Sequence, residues 1–455
     1  MFANFLDFKE KMKGKTVNVI GLGVSNIPLV KMLVSFGAFV IGRDKNEDIS
    51  LDVDISYKLG EDYLKDIKGD YIFKSPGIRP DLPEFLEFTK NGGILTSEME
   101  VFFDVCPCKI IAVTGSDGKT TTTSLISELL KEAGYLVHTG GNIGTPLLPN
   151  IENIKPDDIC VVELSSFQLM TMKKSPSVAV ITNITPNHLD VHKSYEEYIL
   201  AKENITKFQT KEDKLIVNYD NEITRKIGEN KKDNVCYFSL NALCKDGLYY
   251  EDLKILEKGE KLIDIKDIKI PGMHNVDNYM AAYLAVKDYI TVDVLKKVAK
   301  NFKGVNHRIE FVKEENGVKY YNDSIASSPT RTTACINAFY SMGKKPILIL
   351  GGKNKNLDFT LLGKEIVNKT KKIYLVGDLK NPHLNTAKAI EKAVYDVDKN
   401  FPVEFFYTLE ETVKKVKEDA DKGDIVVLSP ASTSFDKYKN FEERGNLFKE
   451  YVNNG

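Results

Sequence analysis

Nowhere in these 455 residues does an apolar run approach the roughly 20 residues that a membrane helix needs. The N-terminal stretch "MFANFLDFKEKMKGK" is charged throughout, so no signal-peptide core is expected in it. Charge of one sign is also missing: 63 Lys and Arg stand against 65 Asp and Glu, interspersed, for a formal charge of -2. Such a surface gives no reason to expect nucleic acid or membrane insertion. Short-period repeats and low-complexity tracts are absent. The six cysteines, at 106, 108, 160, 236, 244 and 335, form no Cys-x-x-Cys pair. Cys106-Pro107-Cys108 is spaced too tightly for a usual zinc site. Buried free thiols in a reducing compartment are therefore expected, and with them a cytoplasmic protein.

What is present is the composition of a globular protein, 42% hydrophobic and 28% charged, in a chain long enough for two to four domains. Strand-like apolar runs alternate with helical patterns almost from end to end, which predicts parallel-sheet α/β architecture. The runs include "TVNVIGL" (16–22), "KIIAVTG" (109–115), "DICVVEL" (158–164), "VAVITNI" (178–184), "PILILGG" (346–352), "KIYLVG" (372–377) and "DIVVLSP" (424–430). Seams follow "GGILTSEMEVFFDVCPC" and lie near "NFKGVNHRIEFV", predicting domains at 1–98, 99–303 and 304–455.

Several of these runs end in Gly, Ser, Asn or Pro, where open α/β sheets gather their chemistry. "AVTGSDGKTTTTSLI" (112–126) has the elements of a phosphate loop in shortened form, with Ser116 and Asp117 alone between Gly115 and Gly118. A strand before it and a helix after it would aim backbone N–H groups at an anion. Lys119 would then lie by the terminal phosphates and the Thr120 hydroxyl could ligate Mg²⁺. The plain alternative is a βα turn with a solvent-facing lysine. "VIGLGVSNIPLV" holds a second such turn, Gly21-x-Gly23-x-x-Asn26, with Asp44 about 20 residues on. "KSPGI" (74–78) ends another apparent strand. Glu163, closing "VVEL", would need a cation or donors if buried. "NHLDVH" places His188, Asp190 and His192 after a further strand, with Lys202 downstream on a helical stretch. "PGMHN" opens a long helix near Asn275, and "NHRIEFV" and "YYNDS" offer Arg308 and Asp323. The loops "LGGKNKNLDF" and "LSPASTSFDKYKNFEERG" suit a small polar site for an anionic substrate.

Taken in order, Thr-Gly-x-x-Gly-Lys-Thr, "GNIG" (141–144), "ELSSFQL", "NHLDVH", "AK" (201–202), "PGMHN", "HR", "NDS" and "LSPASTSFD…KNFEERG" resemble the Mur ligase family of ATP-dependent amide-forming enzymes, over nearly the whole chain. The final run is most similar to members that add D-glutamate to UDP-N-acetylmuramoyl-L-alanine, in peptidoglycan precursor synthesis. The resemblance implies a Rossmann-like UDP-binding domain, a central P-loop ATPase domain with a mostly parallel sheet, and a C-terminal Rossmann-like α/β domain. It implies an acyl phosphate made from ATP and the L-alanyl carboxylate, then attacked by the amine. By resemblance ATP meets Gly115, Ser116, Asp117, Gly118, Lys119, Thr120, Thr121, Asn275, Arg308 and Asp323. Two Mg²⁺ ions would be held by Thr120, Glu163, His188 and a Lys202 carbamylated by CO₂, with Lys119, His188 and Lys202 serving catalysis. The UDP-substrate would meet Gly23, Val24, Ser25, Asp44, Ser75 and Asn142; D-glutamate would meet Lys355, Ser434, Phe435 and Phe441. The working unit is taken as a monomer.

One departure stands out. Many relatives have Lys directly after Asn-Asp-Ser, whereas this chain has Ile325. Another ligase of the family remains the alternative, although folylpolyglutamate synthases lack the residues before the loop, and the Asp-Asn-Pro-Arg of diamino-acid ligases is not found. A GTPase-like regulator would explain the loop alone, and a nicotinamide dehydrogenase only the first glycine turn.

Overall fold

Continuous apolar strands must be covered on both faces, and this chain covers them with helices in three sheets. The computed structural model describes residues 1–23, 25–187, 191–244, 247–353, 357–378, 380–381 and 384–454. The first sheet contains β1 (Thr16–Ile20), β2 (Phe39–Asp44), β3 (Ser56–Leu59), β4 (Tyr71–Lys74) and β5 (Ile94–Thr96), all parallel in the order β3-β2-β1-β4-β5. The second begins with β6 (Lys109–Thr114), β7 (Val137–Gly141), β8 (Ile159–Glu163) and β9 (Val178–Ile181). It continues with β10 (Lys214–Asn218), β11 (Val235–Ser239), β12 (Gly247–Glu251), β13 (Lys254–Glu257) and β14 (Glu260–Asp264). Its order is β14-β13-β12-β11-β10-β9-β6-β8-β7, antiparallel only where β12, β13 and β14 meet. The third sheet is formed by β15 (Glu310–Glu315), β16 (Val318–Asn322), β17 (Ile347–Leu350), β18 (Lys372–Val376), β19 (Val403–Phe406) and β20 (Ile425–Leu428). Its order is β15-β16-β20-β17-β18-β19, parallel except for the β15–β16 hairpin.

All seven apolar runs singled out in the sequence are strands, and the α/β class with its parallel sheets holds. By contacts the chain divides into two compact units, 1–265 with 277–298, and 266–276 with 299–455. In the first, one apolar core runs from Phe8, Leu29 and Val30 beside the first sheet to Phe102, Leu148 and Cys160 at the second. In the second, strand alternation splits the core in two. Leu348 and Leu350 pack with Ile336, Phe339 and Ile366, while Ile347 and Ile349 pack with Val413, Val416 and Phe448.

Helix starts place the candidate sites. Asn4, Ser97, Ser165, Ser194, Asn221 and Thr408 each cap a helix with a side-chain oxygen. The helices Asn26–Ser35 and Lys119–Glu132, which follow the two glycine turns, have no such cap. In the first of these the Asn26 and Ile27 N–H groups turn back to the Gly23 carbonyl, whereas the second starts on the left-handed Gly118 with no side chain across its end, a setting suited to an anion.

Candidate nucleotide and substrate sites

β6 delivers the chain into the turn 115–118, and helix Lys119–Glu132 takes it away. Gly115 has φ 147° and Gly118 φ 80°, left-handed values that a side chain would strain. A Cβ on Gly115 would strike the Thr182 hydroxyl, and one on Gly118 would lie 2.5 Å from Asn278 Oδ1. The turn is pinned from the neighbouring strand end. Ser116 N–H donates to the Asn183 carbonyl (2.8 Å), Asp117 N–H to Asn183 Oδ1 (2.9 Å), and Thr182 Oγ1 to the Asp117 carbonyl (2.5 Å). Ser116 Oγ lies 2.9 Å from both the Thr185 carbonyl and the buried Tyr198 hydroxyl.

Two ammonium groups converge on this turn. Lys119 Nζ donates to the Gly115 and Ser116 carbonyls, both at 3.0 Å, and Lys202 Nζ donates to the Gly115 carbonyl at 2.7 Å. Lys202 lies on helix Tyr195–Glu203, is only 2% exposed, and sits over the Tyr198 ring. Burial, and then the Lys119 charge, bring it down to about 7, while Glu163 and Asp117 act in the other direction.

Glu163 ends β8 almost wholly buried. Its Oε1 accepts from Asn142 Nδ2 at 2.8 Å, and its carbonyl accepts from Asn142 N–H at 2.8 Å. Its Oε2 has no hydrogen-bond partner among the described residues. A buried carboxylate oxygen left open beside a phosphate-type turn fits a hard cation, as does the oxygen-rich set of Glu163 and Thr120. His188, named above for metal binding and catalysis, lies outside the described residues. His192 is buried, with Nε2 2.9 Å from Ser166 Oγ and Nδ1 3.4 Å from Glu197 Oε2, and its ring stacks on Phe167. These contacts give His192 a structural setting.

The first glycine turn is built by its neighbours. Gly21 (φ 83°) leaves so little room that a Cβ would come within 2.6 Å of Ser75 Cβ. Asp44 accepts from Leu22 N–H (2.6 Å) and Asn46 N–H (2.9 Å), so its carboxylate shapes the turn. Asn26, standing where a dinucleotide fold has its third glycine, donates to the Gly21 carbonyl at 2.8 Å. Gly23, Ser25, Asp44 and Ser75 thus gather at the carboxyl ends of the first sheet, while Asn142 is held against Glu163. Val24 lies outside the described residues.

In the second unit, Asp323 follows β16 and accepts from Ser429 Oγ (2.8 Å) and Ile309 N–H (3.2 Å). Burial pushes it up to about 6. Arg308 N–H donates to the Val305 carbonyl, and Asn275 Nδ2 to the Pro271 carbonyl. The loops after β17 and β20 are laced together. Gly351 N–H donates to the Pro430 carbonyl and Lys353 N–H to the Thr433 carbonyl, both at 2.9 Å. Ser434 is buried in this weave, Phe435 is 58% exposed, and the Phe441 ring stands edge-on to His307. Lys355 lies outside the described residues.

Three residues here escaped the reading of the sequence. Arg444 is buried and donates through Nε to Ser324 Oγ (3.0 Å) and through Nη2 to the Ser324 (2.8 Å) and Ser432 (3.1 Å) carbonyls. Its Nη1 has no partner among the described residues and faces Gly352. "FEERG" contained the signal; an arginine one turn into a helix simply reads as surface. Arg331 Nη1 donates to the Ile325 carbonyl at 3.2 Å, bringing a cation to the position where lysine is missing. Arg79 joins the loop after β4 to helix Tyr195–Glu203 through Glu197.

Residues 113–286 match the Mur ligase middle domain, and residues 307–432 the Mur ligase glutamate ligase domain. A UDP-N-acetylmuramoylalanine–D-glutamate ligase of Acetivibrio thermocellus is 50% identical over 466 residues, spanning 98% of each chain. That of Clostridium botulinum is 47% identical over 463 residues, spanning 100% of each. Among solved structures, a UDP-N-acetylmuramate-alanine ligase of Thermotoga maritima shares the fold, with a TM-score of 0.60 at 18% identity over 97% of this chain and 99% of that one.

Proposed function

The chain belongs to the Mur ligase family, and from that premise we propose that it joins D-glutamate to UDP-N-acetylmuramoyl-L-alanine with ATP, in peptidoglycan precursor synthesis. The L-alanyl carboxylate attacks the γ-phosphorus of ATP, ADP leaves, and an acyl phosphate forms. The D-glutamate amine then attacks the acyl carbon, the new amide loses a proton, and inorganic phosphate departs with the C–O bond pair.

The central difficulty is electrostatic, because a carboxylate must approach a triphosphate. The start of helix Lys119–Glu132, which no side chain caps, directs its dipole and N–H groups toward the phosphates, with Ser116, Asp117, Thr120 and Thr121 lining the turn 115–118 and the first helical residues. Lys119, which rests on its own loop carbonyls, turns to the terminal phosphate. Glu163, Thr120, His188 and a carbamylated Lys202 would hold Mg²⁺, which when bound neutralises phosphate charge. The open Glu163 Oε2 is the observation that carries this assignment. An unmodified Lys202 ammonium would repel such an ion. Reaction of its free amine with CO₂, with loss of a proton, converts it to a carboxylate that binds one.

We assign Asn275, Arg308 and Asp323 to the nucleotide as well. Gly23, Val24, Ser25, Asp44, Ser75 and Asn142 are assigned to the UDP-substrate. Lys355, Ser434, Phe435 and Phe441 are assigned to D-glutamate, with Arg331 added as a cation. The proposed domains are 1–98, 99–303 and 304–455, in a cytoplasmic monomer; no described helix is long and apolar enough to cross a membrane.

A phosphate-release assay over a substrate panel tests the reaction. Release from ATP is expected only with UDP-N-acetylmuramoyl-L-alanine and D-glutamate together. Equal turnover with L-glutamate or a folate, or none with this pair, overturns it.

A further inference from the structure

Away from the nucleotide turn, three cysteines meet. Cys106 and Cys108 lie in the segment that joins helix Glu98–Val105 to β6, and Cys160 lies on β8, paired in register with Ile110 of β6. Their sulfurs form a triangle with sides of 3.7 Å (Cys106–Cys108), 3.8 Å (Cys106–Cys160) and 3.4 Å (Cys108–Cys160). Among the described residues this is the one group of His, Cys, Asp or Glu side chains whose donor atoms converge closely enough to hold a metal ion. Cys160 is fully buried and the other two are half-buried, so the triangle has a closed side and an open one.

From the geometry we propose that Cys106, Cys108 and Cys160 bind one Zn²⁺ as thiolates, with solvent as the fourth ligand. A tetrahedral zinc with bonds of about 2.3 Å sets its thiolates roughly 3.8 Å apart, close to all three sides of the triangle. The tight Cys-x-Cys spacing argues against a site made by that segment alone. It ceases to be an obstacle once a donor 52 residues away completes the set. Soft thiolate ligands select zinc over the hard Mg²⁺ expected at Glu163. Three thiols also cannot all pair as disulfides, so an oxidised pair would leave one sulfur behind.

The location gives the ion a structural role. Cys160 stands three residues before Glu163 on β8, about 10 Å along the strand from that carboxylate. Zinc there clips the incoming segment to the amino-terminal ends of β6 and β8, whose carboxyl ends present the phosphate turn and Glu163. The ion is a staple beneath the site and takes no part in the reaction.

Metal analysis and cobalt substitution of the full chain test this. The wild type is expected to retain one Zn²⁺ per chain after desalting. Its Co²⁺ form should show a thiolate-to-cobalt charge-transfer band and tetrahedral ligand-field bands. Cys160→Ser and, on the more open side, Cys108→Ser should each lose stoichiometric zinc and the charge-transfer band, whereas Cys236→Ser keeps both. Chelator should lower the Tm of the wild type and leave that of folded Cys108→Ser unchanged. A reduced wild type that takes up neither ion, zinc that persists in both variants, or a disulfide between two of these cysteines in freshly isolated protein overturns the proposal.

Discussion

Lys119 and Lys202 share one carbonyl, that of Gly115, and two ammonium groups so placed repel each other. Lys119 can be drawn off to a phosphate, whereas Lys202 is buried and has nowhere to go. The proposed carbamylation would remove the repulsion and replace it with attraction for Lys119 and Mg²⁺. Lys202→Ala is accordingly expected to cut turnover by about 10²-fold or more, the scale of losing a charge-stabilising group. Bicarbonate should restore activity to wild type stripped of CO₂ and do nothing for the variant. Indifference of both to the residue and to bicarbonate would remove the carbamate from the mechanism. Arg331 raises a parallel question in the second unit, since Ile325 supplies no cation after Asn-Asp-Ser and the Arg331 guanidinium donates to its carbonyl. Arg331→Ala is expected to raise KM for D-glutamate about tenfold with kcat nearly unchanged, and Arg331→Lys to recover part of it. Steady-state kinetics with D-glutamate as the varied substrate decides this, and an unchanged KM excludes Arg331 from the pocket.

At the scale of elements, the loop after β4 and helix Tyr195–Glu203 are tied by a single guanidinium. Arg79 uses all five N–H donors: two toward Glu197 (2.8 and 3.0 Å), two toward Asp81 (2.8 and 3.0 Å) and one toward the Val191 carbonyl (2.8 Å). Lys193 adds a second cation on Asp81. Glu197 is drawn down to about 2, chiefly by Arg79. The loop carries Ser75 and the helix carries Lys202, so the fork joins the proposed UDP-substrate contact to the proposed metal ligand. Arg79→Lys keeps the charge and loses the fork. It should lower unfolding free energy by roughly 1–3 kcal/mol and raise KM for the UDP-substrate, read from denaturant midpoints and kinetics. Unaltered midpoints and KM would reduce the fork to ordinary surface pairing. Nothing in the sequence announced it, because its partners are 118 residues apart and each alone reads as a surface charge. The strands and glycine turns were legible for the opposite reason: a buried strand writes itself as a local apolar run, and a left-handed turn as a glycine. Cys160, Arg444 and Lys202 show the limit. Their burial and partners arise only when distant strands and helices close around them.

For the whole molecule, buried ionisable groups on both units set how stability varies with pH. Burial raises Glu98 and Asp277 in the first unit to about 7, and Asp323 in the second to about 6. An unfolded carboxyl titrates near 4, so between about pH 4 and these values the folded chain holds protons that the unfolded chain releases. Stability from these groups is therefore present at low pH and lost as pH rises through about 6 to 7. Lys74 acts in the opposite sense, since burial lowers it to about 8. Its contribution grows as pH rises from about 8 toward 10. Together these groups place a trough in their summed contribution between about pH 7 and pH 8, while Glu197, held near 2, weakens the fold only below about pH 4. Asp277 is the clearest probe, because its Oδ1 has no hydrogen-bond partner among the described residues and it has no assigned part in the reaction. Asp277→Asn mimics the protonated side chain at every pH. The variant's Tm minus that of the wild type should grow steadily from pH 5 to pH 7.5, in line with about 1.4 kcal/mol per pH unit at the steepest, and then level off. Thermal melts of the two proteins across that range measure it. A Tm difference that does not change with pH would mean that Asp277 is already ionised in the folded chain.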